Sequence, residues 1–139
     1  MQQQISVVTL GVADLGRSQR FYGQGFGWTP VFENDEIAFY QMNGLMLGTW
    51  QKDRLAQDMR RPAEGLSSFS LAHNAPDEAA VRYLIERLCD YGGTVLRPAA
   101  APPHGGYRGY VADPDGHAWE IAFNPAWPID AEGHVTFGT

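Results

Sequence analysis

Apolar and polar positions alternate at the start of the chain. Over residues 5–12, Val8, Leu10 and Val12 alternate with Val7, Thr9 and Gly11, the period-2 signature of a strand. Asp14 offers an N-cap, and residues 15–25 carry Leu15, Phe21 and Tyr22 along a short helical face that Gly23, Gly25 and Gly27 bring to an end. Residues 28–32 predict a short strand. Residues 37–42 and 45–50 predict two more, joined at Asn43-Gly44, a dipeptide suited to a two-residue hairpin turn. Leu55 and Met59 stand one helical turn apart and predict a brief helix before the linker Arg61-Pro62-Ala63-Glu64-Gly65.

The second half repeats this order. Residues 66–74 predict a strand. Residues 76–91 predict the clearest helix, with Val81, Leu84, Ile85 and Leu88 on one face, Asp77 and Glu78 in its first turn and Gly92-Gly93 as its stop. Residues 94–97 predict a short strand, 99–106 a Pro/Gly-rich loop, and 107–112 and 118–123 two strands around the turn Asp113-Pro114-Asp115-Gly116. The pattern is βαβββ followed by βαβββ. It predicts an α+β domain of two modules, about 4–61 and about 65–125, with a Pro/Trp-bearing tail over 126–139 that packs as an irregular lid. Laying Gly116 on Gly44 aligns Glu120 with Gly48; laying Leu71 on Leu10 aligns Ser68 with Val7.

Composition narrows the class. The chain has 139 residues, and ten Lys plus Arg against sixteen Asp plus Glu give a formal charge of −6. Clustered cations for nucleic acid are missing, Arg60-Arg61 being the only adjacent basic pair. No apolar run approaches the roughly 20 residues of a membrane helix. The start lacks the basic and apolar segments of an export signal, and the single Cys89 excludes an internal disulfide or a cysteine zinc cluster. The expectation is a cytoplasmic domain that works on neither nucleic acid nor membrane. The segment Gly23-Gln24-Gly25-Phe26-Gly27 ends a helix instead of following a strand, so it is not read as a phosphate loop.

Two motifs carry a resemblance. Val8-Thr9-Leu10-Gly11-Val12-Ala13-Asp14-Leu15 with Ser18, Phe21-Tyr22 and Gly25-Phe26-Gly27-Trp28 open the first module. Asp113-Pro114-Asp115-Gly116-His117-Ala118-Trp119-Glu120 closes the second. Placed at these ends of a βαβββ duplication, they make the chain similar to the vicinal oxygen chelate superfamily of glyoxalase I, bleomycin-resistance proteins, fosfomycin-resistance enzymes and extradiol dioxygenases. The resemblance implies tandem βαβββ modules whose mixed sheets curl into a cup, and a homodimer. It also implies up to four metal ligands on the first and last strands of the modules, which map to Val7, Gly48, Ser68 and Glu120. Valine and glycine have no donor side chain and serine is a poor ligand, whereas a catalytic divalent metal typically takes about three protein ligands. No metal cofactor is expected. His73 is predicted to point away from the ligand face, and His104, His117 and His134 fall in loops, turns and tail.

Strand alternation then lists the cup-facing residues. Thr9, Met46, Trp50, Ser68, Ser70, Arg108, Tyr110 and Glu120 are the candidate ligand-binding side chains, with Gly48, Ser68, Ser70 and Ala72 leaving room. The opposite face carries Val8, Leu10, Val12, Leu45, Leu47, Phe69, Leu71, Trp119, Ile121 and Phe123 and is expected to pack on the helices. Tyr110 and Trp50 can stack on a flat ligand, and the resemblance places Tyr110 where related resistance enzymes face substrate. Glu120 is the candidate catalytic group, as a general base without metal; its alternative is an ion pair with Arg108, which can equally hold a ligand carboxylate or phosphate. Three functions follow from this set: a metal-free binding protein of the resistance type for a small aromatic or peptide-like molecule; a glyoxalase-like lyase, isomerase or dioxygenase, through a metal site rebuilt from His104, Glu120 and one further residue or through Glu120 as a metal-free general base; and a non-catalytic interaction module.

Overall fold

The computed structural model describes residues 1–63 and 68–137, so Glu64, Gly65 and the first residues of the predicted strand 66–74 lie outside it. The chain divides into two units, residues 1–66 and 67–139. Each holds a mixed four-stranded sheet. Among the described residues no helix is long and apolar enough to cross a membrane.

The alternating pattern of the first unit builds β1 (Val7–Val12), β2 (Phe32–Glu33), β3 (Ile37–Gln41) and β4 (Met46–Gln51), in the order β1-β4-β3-β2. β1 runs parallel to β4 and the other pairs are antiparallel. Because neighbours in register share a face, Leu10, Val12, Ala38, Tyr40, Leu47 and Thr49 line one side, where all are buried. That side packs on α1 (Leu15–Gln19), which Asp14 caps by accepting from the Arg17 N–H at 3.0 Å. The predicted helix over 15–25 splits. Arg20–Gly25 forms a π-helical turn, closed by Phe26 N–H donating to Phe21 C=O at 3.1 Å. The predicted strand 28–32 shrinks to Phe32–Glu33, because Trp28 turns into an aromatic cluster 4.1 Å from the Phe26 ring. Burial pushes the Tyr40 phenol beside this cluster up to about 12, and the charge of Glu33 adds to the shift. The predicted brief helix is α2 (Lys52–Met59), whose Leu55 and Lys52 lie over Gly11.

The second unit builds β5 (Leu71–Asn74), β6 (Thr94–Ala100), β7 (Tyr107–Ala112) and β8 (Ala118–Phe123), in the order β5-β8-β7-β6. Val111, Trp119 and Ile121 are buried on the side that packs on α3 (Glu78–Asp90), whose own buried face is Val81, Ile85 and Leu88. Asp77 caps α3 instead of lying in its first turn, accepting from Ala80 N–H at 2.7 Å. Gly92, at φ +103, and the Gly93 N–H bonded to Leu88 C=O end it.

Two expectations change here. The predicted strand 66–74 is ordered as a strand only from Leu71, so Ser68 and Ser70 precede it and are exposed. The predicted strand 94–97 runs on to Ala100, but with two register shifts, between Val95 and Arg97 and between Arg97 and Ala100. The ladder also moves the internal alignment by two residues. Thr9 stands opposite Gly48, and Ala72 stands opposite Glu120; with Glu120 laid on Gly48, Ala72 rather than Ser70 matches Thr9.

The Asp113 turn is held by its own side chain. Oδ1 accepts from the N–H groups of Asp115 and His117 at 2.9 Å each, Oδ2 lies 2.8 Å from His117 Nδ1, and Gly116 supplies the φ of +91. Asp130-Ala131-Glu132-Gly133-His134 in the tail repeats this bonding, with Gly133 at φ +86, inside an antiparallel bridge between Ile129 and Val135. The second turn is exposed throughout, whereas in the first Asp113 itself is buried and its partners Asp115 and His117 are half-buried.

Candidate functional site

In each unit the sheet has a far face, turned away from α1 or α3, and the predicted site residues divide between these two faces. On the first, β1 and β4 put Val7 beside Met46, Thr9 beside Gly48 and Gly11 beside Trp50, as alternation predicts. β3 adds residues the sequence reading passed over: Ile37 opposite Trp50 and Phe39 opposite Gly48. Phe39 decides what Gly48 can do. A Cβ on Gly48 would lie 3.0 and 3.2 Å from two atoms of the Phe39 ring. The space expected above Gly48 is therefore filled by that ring, which is joined by Phe32 at a centroid distance of 6.3 Å. Trp50 is half-buried, and its indole N–H donates to Glu36 Oε2 at 3.2 Å, the oxygen that also faces Arg54 Nε at 3.4 Å. Its ring has a fixed edge, a useful property in a stacking surface.

On the second unit's far face, one row crosses the sheet. Arg97 of β6 stands opposite Tyr110 of β7, Tyr110 opposite Glu120 of β8, and Glu120 opposite Ala72 of β5. The Tyr110 hydroxyl donates to Glu120 Oε2 at 3.1 Å. Burial is the main cause that raises the Tyr110 phenol above its ordinary pKa; Glu120 adds to the rise through its charge and hydrogen bond, while Arg108 and Arg97 pull it down. Arg108 sits in the next row, and its guanidinium donates to Ala100 C=O at 3.4 Å. Glu120 is thus partnered by Tyr110, and among the described residues no ion pair joins it to Arg108, so the expected alternative of a Glu120–Arg108 pair is not formed. Ser68 and Ser70 are exposed and precede β5, so strand alternation does not place them on this face. His73 lies beside Ile121 on the helix side, where burial lowers its pKa.

The four positions that the superfamily uses for metal do not fit a divalent ion here. Val7 has no donor and Gly48 lies against a phenyl ring; Ser68, and Ser70 that the ladder sets at the match of Val7, are exposed and precede β5; and Glu120 gives its Oε2 to Tyr110. One carboxylate falls short of the roughly three protein ligands such a site needs. A separate trio, Asp130, Glu132 and His134, brings its ligand atoms within 4.8 Å, but all three are exposed and their bonds are those of the tail turn.

Of the residues the sequence reading missed, Phe39 was within reach, since the alternation Ile37-Phe39-Gln41 is plain once β3 is aligned on β4. Arg97 was not: uninterrupted pairing from Val95–Val111 would set it opposite Gly109, and only the register shift sets it opposite Tyr110.

Residues 4–121 match the Glyoxalase/Bleomycin resistance protein/Dioxygenase superfamily. The structure is similar to that of a glyoxalase-related enzyme from Fulvimarina pelagi, with 59% identity over 99% of this chain and 100% of that one and a TM-score of 0.96. It also shares its fold with a glyoxalase/bleomycin resistance protein/dioxygenase family enzyme from Burkholderia phytofirmans (18% identity, 85% of this chain and 96% of that one, TM-score 0.75). A fosfomycin resistance protein from Mesorhizobium loti is similar at the same level (23% identity, 89% of this chain and 94% of that one, TM-score 0.67). The duplicated βαβββ order, the two mixed sheets and the match across most of its length place this chain in the glyoxalase/bleomycin resistance protein/dioxygenase superfamily.

Proposed function

We propose that this protein binds a small aromatic or peptide-like molecule on the far face of a sheet, without a catalytic metal. The observation that carries this reading is the Phe39 ring over Gly48, which puts an aromatic surface where the superfamily places a metal ligand. Met46 and Trp50 extend that surface. The far face of the second unit has its own set, in which Glu120, Tyr110 and Arg108 are placed polar groups of the kind that orient a ligand. A ligand that binds only the native state raises its melting temperature. Screening small aromatic compounds by thermal shift is expected to give stabilising hits, weakened by Trp50→Ala and by Glu120→Gln. A stoichiometric divalent metal in the purified protein, whose chelation abolishes those hits, would overturn the metal-free reading.

A second reading has its own observation. Among the described residues Glu120 accepts from Tyr110 through Oε2 only, which leaves Oε1 for a substrate proton. Glu120 then acts as a general base on a bound carbon or hydroxyl acid, with Tyr110 holding the carboxylate in place. In that case Glu120→Gln abolishes turnover while hits from the thermal screen still bind, which separates the two readings.

A further inference from the structure

We propose that Arg97 and Arg108 form a paired oxyanion site on the far face of the second sheet, and that this site selects ligands bearing a doubly charged group such as a phosphate monoester. The proposal rests on the reading that this face binds a small molecule, and it names which chemistry the face prefers.

The argument starts from the irregularity of β6. Thr94 and Val95 pair with Ala112 and Val111, a register that carried onward would bring Arg97 opposite Gly109, on the side that faces α3. The shift after Val95 adds one residue to β6, so Arg97 comes opposite Tyr110 instead. Bulges of this kind re-aim side chains. Packing fixes the bulge in place: a Cβ on Gly109 would lie 2.9 Å from Arg97 C=O, 3.1 Å from Ala99 N and 2.7 Å from Ile85 Cδ1, so the strand presses onto a position that only glycine can fill. Arg97 thus shares the far face with Tyr110 and, in the next row, with Arg108, and the charges of both arginines pull the Tyr110 phenol down against the causes that raise it.

The charges are arranged to receive an anion. Across the row Tyr110 stands between Arg97 and Glu120, so their backbone positions lie two strands apart, about 10 Å at ordinary strand spacing. Among the described residues neither Arg97 nor Arg108 makes an ion pair with a carboxylate, and the contact Arg108 does make is to a carbonyl. Guanidinium groups present planar donor forks that match carboxylate and phosphate oxygens. Two of them in adjacent rows of one face match two negative charges better than one, and they do so in a chain whose net charge is −6, which makes a local cationic pair a selective feature instead of a general one.

A graded set of probes tests the site: benzamide, benzoate and phenyl phosphate, which share a phenyl ring and carry about zero, one and two negative charges near neutral pH. Titration followed by the NMR signals of the arginine Nε–H groups reads affinity and location together. The expected result is tightening from benzamide to benzoate to phenyl phosphate, with the Arg97 and Arg108 signals moving for the anions. Arg97→Gln is expected to weaken phenyl phosphate about tenfold or more and to leave benzamide unchanged, so that the preference for the double charge collapses. Arg97→Lys keeps the charge without the fork and restores only part of it. Equal affinity for all three probes, or phenyl phosphate binding that ignores Arg97→Gln, overturns the oxyanion site and leaves the small-molecule reading intact. If phenyl phosphate moves neither arginine signal at about 10 mM, the oxyanion site is also overturned. The failure of neutral aromatic compounds to bind anywhere counts separately, against the small-molecule reading itself.

Discussion

The two sheets share one topology and differ in what they put on the face away from the helices. At equivalent ladder positions the first has Thr9 opposite Gly48, and the second has Ala72 opposite Glu120. The first is paved with side chains of its own antiparallel strands, Phe39 closing over Gly48. The second keeps a carboxylate, a phenol and two guanidiniums in adjacent rows. The difference teaches that in a duplicated fold the ladder conserves geometry but not chemistry. The helix sides of both sheets must be apolar to bury a core, whereas the far faces are free to diverge.

The comparison is sharpest at the two strand glycines. Gly109→Ala forces a Cβ against the backbone of β6, which cannot yield without losing the bulge, so it is expected to destabilise by about 3 kcal/mol in denaturant unfolding and to weaken any anion bound through Arg97. Gly48→Ala meets only the edge of a ring, and about 1–2 kcal/mol is expected. Trimming the obstacle by Phe39→Ala should relieve most of the Gly48→Ala cost in a double-mutant cycle. Equal costs at the two glycines, or no relief, would break the contrast drawn between a flexible and a rigid neighbour.

The twin turns give the next effect. Asp113→Ala removes a buried carboxylate and strips two part-buried backbone N–H groups and His117 of their acceptor, and about 2 kcal/mol is expected. Asp130→Ala removes the same bonds from an exposed turn, where water replaces them, and stays within about 0.5 kcal/mol by the same unfolding measurement. Tyr110→Phe ranks lower for stability, about 0.5–1 kcal/mol, since its bond to Glu120 is only part-buried.

The smallest effect is a pH dependence. Burial alone would lower the His117 pKa, but the hydrogen bond and charge of Asp113, with the charge of Asp115, together raise it. A raised folded pKa contributes stability that is complete below the ordinary imidazole value of about 6.5 and is lost as pH rises through the higher folded value. His73 acts in the opposite sense: burial lowers its pKa, so its contribution is present above about 6.5 and is lost as pH falls through the lower folded value. In a His73→Gln background the melting temperature should therefore fall on raising the pH from about 6 to about 8, and the added His117→Gln change should flatten that difference.

Much of this was legible in the chain. The 0, 3, 4, 7 spacing of Val81, Leu84, Ile85 and Leu88 fixed α3, and period-2 alternation assigned Val8, Leu10 and Val12 to one side and Val7 and Thr9 to the other, because local geometry alone sets those repeats. The ends were less legible. Ser68 and Ser70 continue an alternating run, yet pairing with β8 begins only at Leu71, and a strand exists only where a partner completes its hydrogen bonds. Trp28 looks like a strand residue by propensity but joins Phe26 and Tyr22 instead, since ring packing outweighs a weak local preference.

The sequence by itself determined the duplicated βαβββ order, the face on which Glu120, Tyr110 and Arg108 lie, and the absence of donors at Val7 and Gly48. These follow from side-chain identity and strand period, which need no partner to be read. Only the tertiary structure decided that Phe39 closes over Gly48, that Tyr110 rather than Arg108 holds Glu120, and that a bulge brings Arg97 into the same row. Those three depend on register between strands far apart in sequence. A shift of one residue turns a side chain to the opposite face, and nothing local to Arg97 records it.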